Sequence, residues 1–177
     1  MTILFGADRL AGDPGLMGPA RRVGLVTNES ARLAFSSTMR TRYALLRAGM
    51  KIVRLFGPEH GMAGSAADGI AVADGIDPLT QLPVVSLYGE RLRPSASSLA
   101  DLDAVVFDVQ DIGTRFYSYV WTLQNVLSAC AIAGVPVTVL DRPNPLGGRL
   151  DMAEGPMLDP KFASFVGGDA IPVRHSL

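Results

Sequence analysis

Residues 104–115 read AVVFDVQDIGTR, a short apolar run that ends in a dense cluster of charged and polar side chains. Consecutive apolar residues are typical of a strand that is covered on both faces of a sheet. In open α/β sheets, the loops beyond the carboxyl ends of the strands carry the binding and catalytic groups. The stretch therefore predicts a buried parallel strand with functional side chains at its end.

The same arrangement, an apolar run followed by a polar cluster, recurs along the chain. It is found at residues 51–61 (KIVRLFGPEHG), 82–89 (LPVVSLYG) and 136–145 (PVTVLDRPNP). Residues 21–28 (RRVGLVTN) also predict a strand that runs into a polar loop. Because parallel strands end at one edge of their sheet, we expect the polar clusters to meet at that edge.

Helices are predicted between these strands. Ser36 or Ser37 is expected to cap a helix that ends at Gly49, and a second helix begins near Tyr119 and ends at Gly134. Alternating strands and helices predict an α/β fold with a mostly parallel sheet. After Asp141 the regular period is lost, which predicts a connection toward further structure and a sequence that is part of a longer protein.

Composition narrows the class of protein. A hydrophobic content of 48% excludes disorder, and a net charge of −1 supplies no electrostatic attraction for nucleic acid or anionic membranes. No run approaches the length of a spanning helix, and no signal peptide is visible. We therefore expect a cytoplasmic protein, or a periplasmic or secreted one if the N-terminus was trimmed. Cys130, the single cysteine, is expected in the core.

Glu59 is the sharpest candidate for acid chemistry. It lies between Pro58 and His60 in a loop bounded by Gly57 and Gly61, where a partly desolvated carboxyl group could keep a raised pKa and act as a general acid. The alternative is a loop carboxylate that caps a backbone N–H. His60 is interpreted as a proton shuttle, a wall of the site or, least well supported, a metal ligand.

Two other clusters carry charge. In the first, Asp108 and Asp111 lie near Arg115, which can grip a carboxylate with two parallel hydrogen bonds. In the second, Asp141 and Arg142 lie in a turn stiffened by two prolines. The alternative in each case is an Asp–Arg ion pair that only holds a loop. A hard cation bound by the three aspartates is a further alternative.

Nucleotide-binding signatures are missing. The first strand is followed by Thr27, Asn28 and Glu29 rather than by a glycine-rich loop, and no Walker A sequence occurs. We expect no cofactor and no bound metal.

The motifs resemble, in the same order, those of the NamZ-like exo-β-N-acetylmuramidase family. The resemblance is carried by residues 24–28, 55–61, 86–89, 106–117 and 140–145, and it continues through 154–156, 164–167 and 171–175. It implies a Rossmann-like domain over residues 1–150 and a connection over 151–177 toward a C-terminal domain that this chain lacks. It also implies a glycoside hydrolase of cell-wall recycling that releases N-acetylmuramic acid from the non-reducing ends of peptidoglycan fragments.

By the same resemblance, Glu59 is the principal catalytic acid. Asp111 is our choice for the second catalytic group. Substrate-binding roles are expected for Asn28, His60, Tyr88, Asp108, Gln110, Arg115, Tyr117, Asp141, Arg142 and His175. An arginine, Arg115 or Arg142 before Arg174, is expected to bind the lactyl carboxylate of muramic acid. The alternatives are a sugar-binding module without catalysis and a metal-dependent hydrolase.

Overall fold

The structure, a computed structural model, describes residues 3–67, 69–114, 117–147 and 149–154, and the backbone of 175–176. Its helices are α1 (Gly6–Gly12), α2 (Thr41–Arg47), α3 (Ala96–Leu99) and α4 (Tyr119–Ala133), with 3₁₀ turns at Pro14–Met17 and Leu150–Met152. Its strands are β1 (Val23–Thr27), β2 (Arg32–Leu33), β3 (Ser36–Arg40), β4 (Ile52–Gly57), β5 (Gly75–Ile76), β6 (Pro83–Ser86), β7 (Ala104–Asp108), β8 (Val137–Val139), β9 (Ala153–Glu154) and β10 (His175–Ser176).

The central sheet has the order β5-β6-β4-β1-β7-β8. All its pairs are parallel except that of the short edge strand β5 with β6. When the five parallel strands β1, β4, β6, β7 and β8 are numbered 1 to 5 in chain order, their order across the sheet is 3-2-1-4-5. This is the order of doubly wound Rossmann-like sheets. The predicted α/β class and mostly parallel sheet are confirmed.

Both faces of this sheet are covered. In β1, Leu25 packs into a core with α1 and α2, while Val26 packs into a second core with α4. The same alternation in β7 sends Val106 to the first core and Phe107 to the second. Burial on both sides explains the continuous apolar runs of the central strands.

The glycine at the end of α4 acts as predicted. Gly134 adopts the left-handed conformation with φ of 70° and closes the helix at its carboxyl end. On the buried side of α4, Cys130 is fully buried, and burial raises the pKa of its thiol to about 11. Its predicted place in the core is confirmed.

The predicted start of the first long helix is wrong. Ser36 and Ser37 do not cap a helix but belong to β3, which pairs with β2 in an antiparallel hairpin. The helix α2 begins only at Thr41 and has no side-chain cap. A local capping signal was outweighed here by pairing with the preceding strand, and the hairpin brings new side chains to the carboxyl edge of the sheet.

Most of the tail after residue 154 lies outside the described residues, so the domain division at residue 150 stays a prediction. The one described feature there is the antiparallel pairing of β10 with β9, in which His175 lies opposite Glu154. No helix in the described ranges combines the length and apolar character needed to cross a membrane.

Candidate active site at the carboxyl edge of the sheet

The parallel register brings the polar clusters to one edge of the sheet. The loops after β1, β4, β6, β7 and β8 all leave from its carboxyl edge. The strand order reverses between β1 and β7, and open α/β sheets bind ligands in the crevice at this switch point. Asn28 follows β1 at this point, while Asp108 ends β7.

A sharp turn after β4 presents Glu59. Its neighbours His60 and Gly61 both have left-handed backbones, with φ of 67° and 72°. Such a conformation is uncommon for a residue with a side chain, and it is frequent at functional sites. The turn is held by a contact between His60 Nδ1 and the carbonyl oxygen of Ala66 at 2.9 Å.

Three donors surround the Glu59 carboxylate. The hydroxyls of Ser118 and Tyr88 donate to it, and the Gly69 N–H lies 3.4 Å from its Oε1. Partial burial raises the pKa of Glu59, but the donors and the nearby His60 outweigh that effect, so the pKa lies below its ordinary value. The expected raised pKa is therefore not found, and Glu59 is a carboxylate at neutral pH in this chain.

Ser118 was missed by the sequence reasoning. It immediately precedes α4 but makes no side-chain cap to that helix, because its hydroxyl is directed to Glu59. The only sequence signal was its place at a helix start, where a serine normally serves the backbone. Its role becomes visible only when the β4 loop and the start of α4 are placed side by side.

A polar and aromatic wall adjoins Glu59. Asn28 is buried, and its side-chain N–H donates to the Tyr119 hydroxyl at 3.3 Å. The ring of Tyr119 makes an edge-to-face contact with Tyr117 at 5.5 Å. Burial raises the pKa of the Tyr119 phenol, and Tyr117 and Glu59 raise it further. The phenol therefore stays protonated and able to donate.

Two residues next to Glu59 line cavities: Tyr88, which donates to it, and its chain neighbour His60. Tyr88 lines a cavity of about 460 Å³ together with Asp74, Glu90 and Arg91. A second cavity, of about 530 Å³, lies at the switch point and is of the size that binds small molecules. Its walls are Asn28, Glu29, Ser30, Arg32, His60, Ala63, Gly64, Gln110, Ile112, Tyr117 and Tyr119.

Asp111 lies in a different place from Glu59. It is exposed and lines a smaller cavity of about 240 Å³ together with Asp141 and Asn144. Gln110 lines both this cavity and the larger one at the switch point. Asp111 thus lies at the predicted edge of the sheet, in the wall of a cavity that none of the three donors to Glu59 lines.

Asp108 and Arg142 form a buried ion pair. Arg142 donates to Asp108 Oδ1 from Nε at 3.1 Å and also from Nη2, and the Asp108 side chain is fully buried. Burial raises the pKa of Asp108, against the lowering effects of Arg142 and Thr41. The remaining nitrogen of Arg142, Nη1, donates to the carbonyl oxygen of Arg32 at 2.6 Å.

This pair matches the interpretation in which an Asp–Arg contact holds a loop, although the arginine is Arg142 rather than Arg115. Every guanidinium nitrogen of Arg142 donates to a protein acceptor, so its fork is not open to a substrate carboxylate. Arg115, Arg174 and the side chain of His175 lie outside the described residues. Within the described ranges, no three His, Cys, Asp or Glu side chains gather as a metal site.

Comparison with known proteins adds to this geometry. A family model described as the N-terminal part of the exo-β-N-acetylmuramidase NamZ matches residues 23–177. The peptidoglycan β-N-acetylmuramidase NamZ of Bacillus subtilis (strain 168) is 41% identical over 173 residues, which are 97% of this chain and 41% of that protein.

Two crystal structures of DUF1343 family proteins from Bacteroides fragilis NCTC 9343 are also similar. One has a TM-score of 0.82 and 34% identity and covers 99% of this chain and 43% of its own. The other has a TM-score of 0.73 and 30% identity, with coverage of 97% and 43%. The chain therefore spans less than half the length of each of these relatives.

Proposed function

Because the chain belongs to the family of the N-terminal part of the exo-β-N-acetylmuramidase NamZ, we propose that it carries the catalytic carboxylate of a glycoside hydrolase. The proposed reaction is release of N-acetylmuramic acid from the non-reducing ends of peptidoglycan fragments. The observation that carries the proposal is Glu59, held by Ser118, Tyr88 and Gly69 at the carboxyl edge of the sheet, directly before His60 in the wall of the switch-point cavity.

To act as a general acid, Glu59 needs a higher pKa than it has in the free protein. Glycoside hydrolysis commonly uses one carboxyl group that protonates the leaving oxygen and a second carboxylate as nucleophile or base. In the free protein the donors around Glu59 favour its charged form, whereas a bound sugar would bury the carboxylate further and raise its pKa. We propose that substrate binding converts Glu59 into the acid, with Asp111 as the candidate for the second carboxylate.

The remaining site assignments follow from the walls of the cavities. Asn28, His60, Gln110 and Tyr117 line the cavity at the switch point and are proposed to bind the sugar there. Tyr88 binds Glu59 directly, and Asp141 belongs to the smaller cavity. Asp108 supports the site through Arg142, and Arg115 and His175 stay proposals from the resemblance. Residues 151–177 are proposed to lead to a further domain, and the compartment stays a prediction.

The decisive experiment replaces Glu59 by glutamine. Glu59→Gln keeps the shape of the side chain but removes its proton chemistry, so turnover of a chromogenic N-acetylmuramic acid glycoside should fall by about 10²–10⁴-fold. Binding of the sugar, measured by calorimetry, should persist. Asp13→Asn is the matched control, because Asp13 lies at the far end of α1 and asparagine keeps the acceptor for the Gly15 N–H.

Two outcomes would contradict this proposal. Near-normal turnover by Glu59→Gln would remove Glu59 from the reaction. A wild-type protein that binds the sugar but never hydrolyses its glycoside, even in the longest natural form that contains this sequence, would identify a sugar-binding module instead.

A further inference from the structure

Arg32 is an arginine at the switch-point cavity that the sequence motifs do not single out. It begins β2, four residues after Asn28, and lines the cavity of about 530 Å³ together with His60 and Tyr117. Its side chain is 33% exposed, so the guanidinium group is fixed on one side and open to solvent on the other.

The bonds of Arg32 leave donors available. Its Nη1 donates to the carbonyl oxygen of Ser37 at 2.7 Å, which holds the guanidinium plane across the β2–β3 hairpin. Its Nη2 lies 3.8 Å from Glu29 Oε1, beyond ordinary hydrogen-bond distance. Within the part of the chain that the structure describes, Nε of Arg32 has no protein acceptor.

The neighbouring charges do not neutralise Arg32. Glu29 accepts hydrogen bonds from Arg40 and, at 2.9 Å, from Arg42. Arg42 is in turn paired with the buried Asp77 at 2.9 Å. This network holds three guanidinium groups against two carboxylates, so one positive charge remains. Arg32, the member with the weakest contact to a carboxylate, is the one that lines the cavity together with Glu29.

Arg142 fixes the position of Arg32. Its Nη1 donates to the Arg32 carbonyl oxygen at 2.6 Å while its other nitrogens hold Asp108 at the end of β7. The side chain of Arg142 is only 6% exposed. It therefore ties the hairpin to the sheet, and each of its guanidinium nitrogens already donates to a protein acceptor.

We propose that Arg32 binds the carboxylate of the sugar in the switch-point cavity and that Arg142 is its positioning residue. The inference rests on the proposed function, since N-acetylmuramic acid carries the lactyl carboxylate that N-acetylglucosamine lacks. An open, oriented guanidinium group forms charge-assisted hydrogen bonds with such a carboxylate. The same contact would bind another sugar acid of similar shape.

The test compares the two sugars across variants of Arg32. Dissociation constants for N-acetylmuramic acid and N-acetylglucosamine are measured by calorimetry, and kcat/KM is measured for their chromogenic glycosides, in the longest natural form that contains this sequence. Arg32→Gln should lower the preference for the muramic acid compounds by about 10- to 100-fold, the loss of one charged hydrogen-bonding contact. Values for the N-acetylglucosamine compounds should change little.

Two further variants sharpen the comparison. Arg47→Gln removes the same charge from the exposed end of α2, near the amino edge of the sheet, and should keep the wild-type preference. Arg32→Lys keeps the charge but loses the planar fork, so its preference should lie between those of wild type and Arg32→Gln. Thermal unfolding monitors folding, and Arg32→Lys decides the matter if the glutamine variant does not fold.

The outcomes separate this inference from the proposed function. An Arg32 variant that is folded and keeps the wild-type preference overturns the inference while hydrolysis by the wild type still supports the proposed function. If the wild type hydrolyses neither glycoside but prefers N-acetylmuramic acid in binding, and Arg32→Gln abolishes that preference, the inference is supported and the proposed function is overturned. A wild type that binds both sugars equally overturns the inference.

Discussion

The hydroxyl of Ser118 donates to Glu59 and does not cap α4, the helix that Ser118 precedes. Together with Tyr88 and the Gly69 N–H, it stabilises the charged form of the carboxylate, and this contribution outweighs partial burial. The charge state of the proposed catalytic group thus depends on these three donors, two of which are hydroxyls from different loops. Removing one of them should change proton affinity without disturbing the fold.

At this residue scale, Ser118→Ala should raise the pKa of Glu59 toward its ordinary value, because the charged form loses a donor. Carbon NMR titration of the glutamate carboxyl groups measures the shift directly. Unfolding free energy should change by less than about 0.5 kcal/mol, since no helix cap is lost. Ser128→Ala, an exposed change on the same helix, is the control; an unchanged Glu59 titration in Ser118→Ala would contradict the assignment.

At the scale of elements, a buried ion pair joins α2 to the loop after β5. Arg42 Nε donates to Asp77 Oδ2 at 2.9 Å, and the side chains are 4% and 1% exposed. Burial raises the pKa of Asp77, but hydrogen bonds from Arg42 and Thr80 outweigh it and hold the pKa below its ordinary value of 3.8. Removing Asp77 would leave the buried Arg42 with Glu29 as its one remaining carboxylate partner among the described residues.

Asp77→Asn should therefore lower the free energy of unfolding at pH 7 by about 1.5–3 kcal/mol, because Arg42 loses its charged hydrogen bonds to Asp77 but keeps Glu29. Because the folded pKa of Asp77 is depressed, its contribution is present above the unfolded pKa and is lost as pH falls through the folded pKa. The gap between wild type and variant in urea unfolding should thus narrow below pH 4, about the unfolded pKa. Asp151→Asn, which breaks an exposed pair with Arg149, should change the free energy of unfolding little. Equal effects of the two changes would refute this view.

At the scale of the whole molecule, Arg142 connects distant parts of the chain. It lies after the last strand of the sheet and bonds Asp108 at the end of β7 and the backbone of β2. Its guanidinium group also lies over the Phe5 ring, 5.2 Å from the centroid, just before α1. The early and late halves of the sheet are thus held together at the carboxyl edge.

Arg142→Ala should accordingly destabilise the entire domain, by about 3–5 kcal/mol at pH 7, because Asp108 is left buried without its cation. Loss of that cation raises the pKa of Asp108 further, so the folded variant binds a proton more tightly than the unfolded chain does. The difference in unfolding free energy between wild type and Arg142→Ala should therefore shrink as pH falls through that raised pKa. Chemical unfolding at several pH values measures this difference in stability. Arg149→Ala, which removes an exposed ion pair, is the control. An Arg142→Ala variant with the unfolding midpoint of the wild type would contradict the prediction.

The sequence by itself determined the parallel strands, the helix that ends at Gly134 and the edge at which the polar clusters meet. These features follow from local patterns: apolar runs buried on both faces, and a glycine that accepts a left-handed backbone. The one clear local error, the helix start at Ser36 or Ser37, arose where a short hairpin outweighed a capping signal.

Only the tertiary structure decided which polar groups meet. Asp108 and Arg142 are 34 residues apart, and Glu59 and Ser118 come from loops on different elements. The sequence predicted that Arg142 and Arg115 bind a substrate carboxylate. In the structure Arg142 binds Asp108 instead, and Arg32 is an arginine that lines the switch-point cavity. Residue type shows what a side chain can bind, but its partner depends on strand register and on loop packing, which no local pattern encodes.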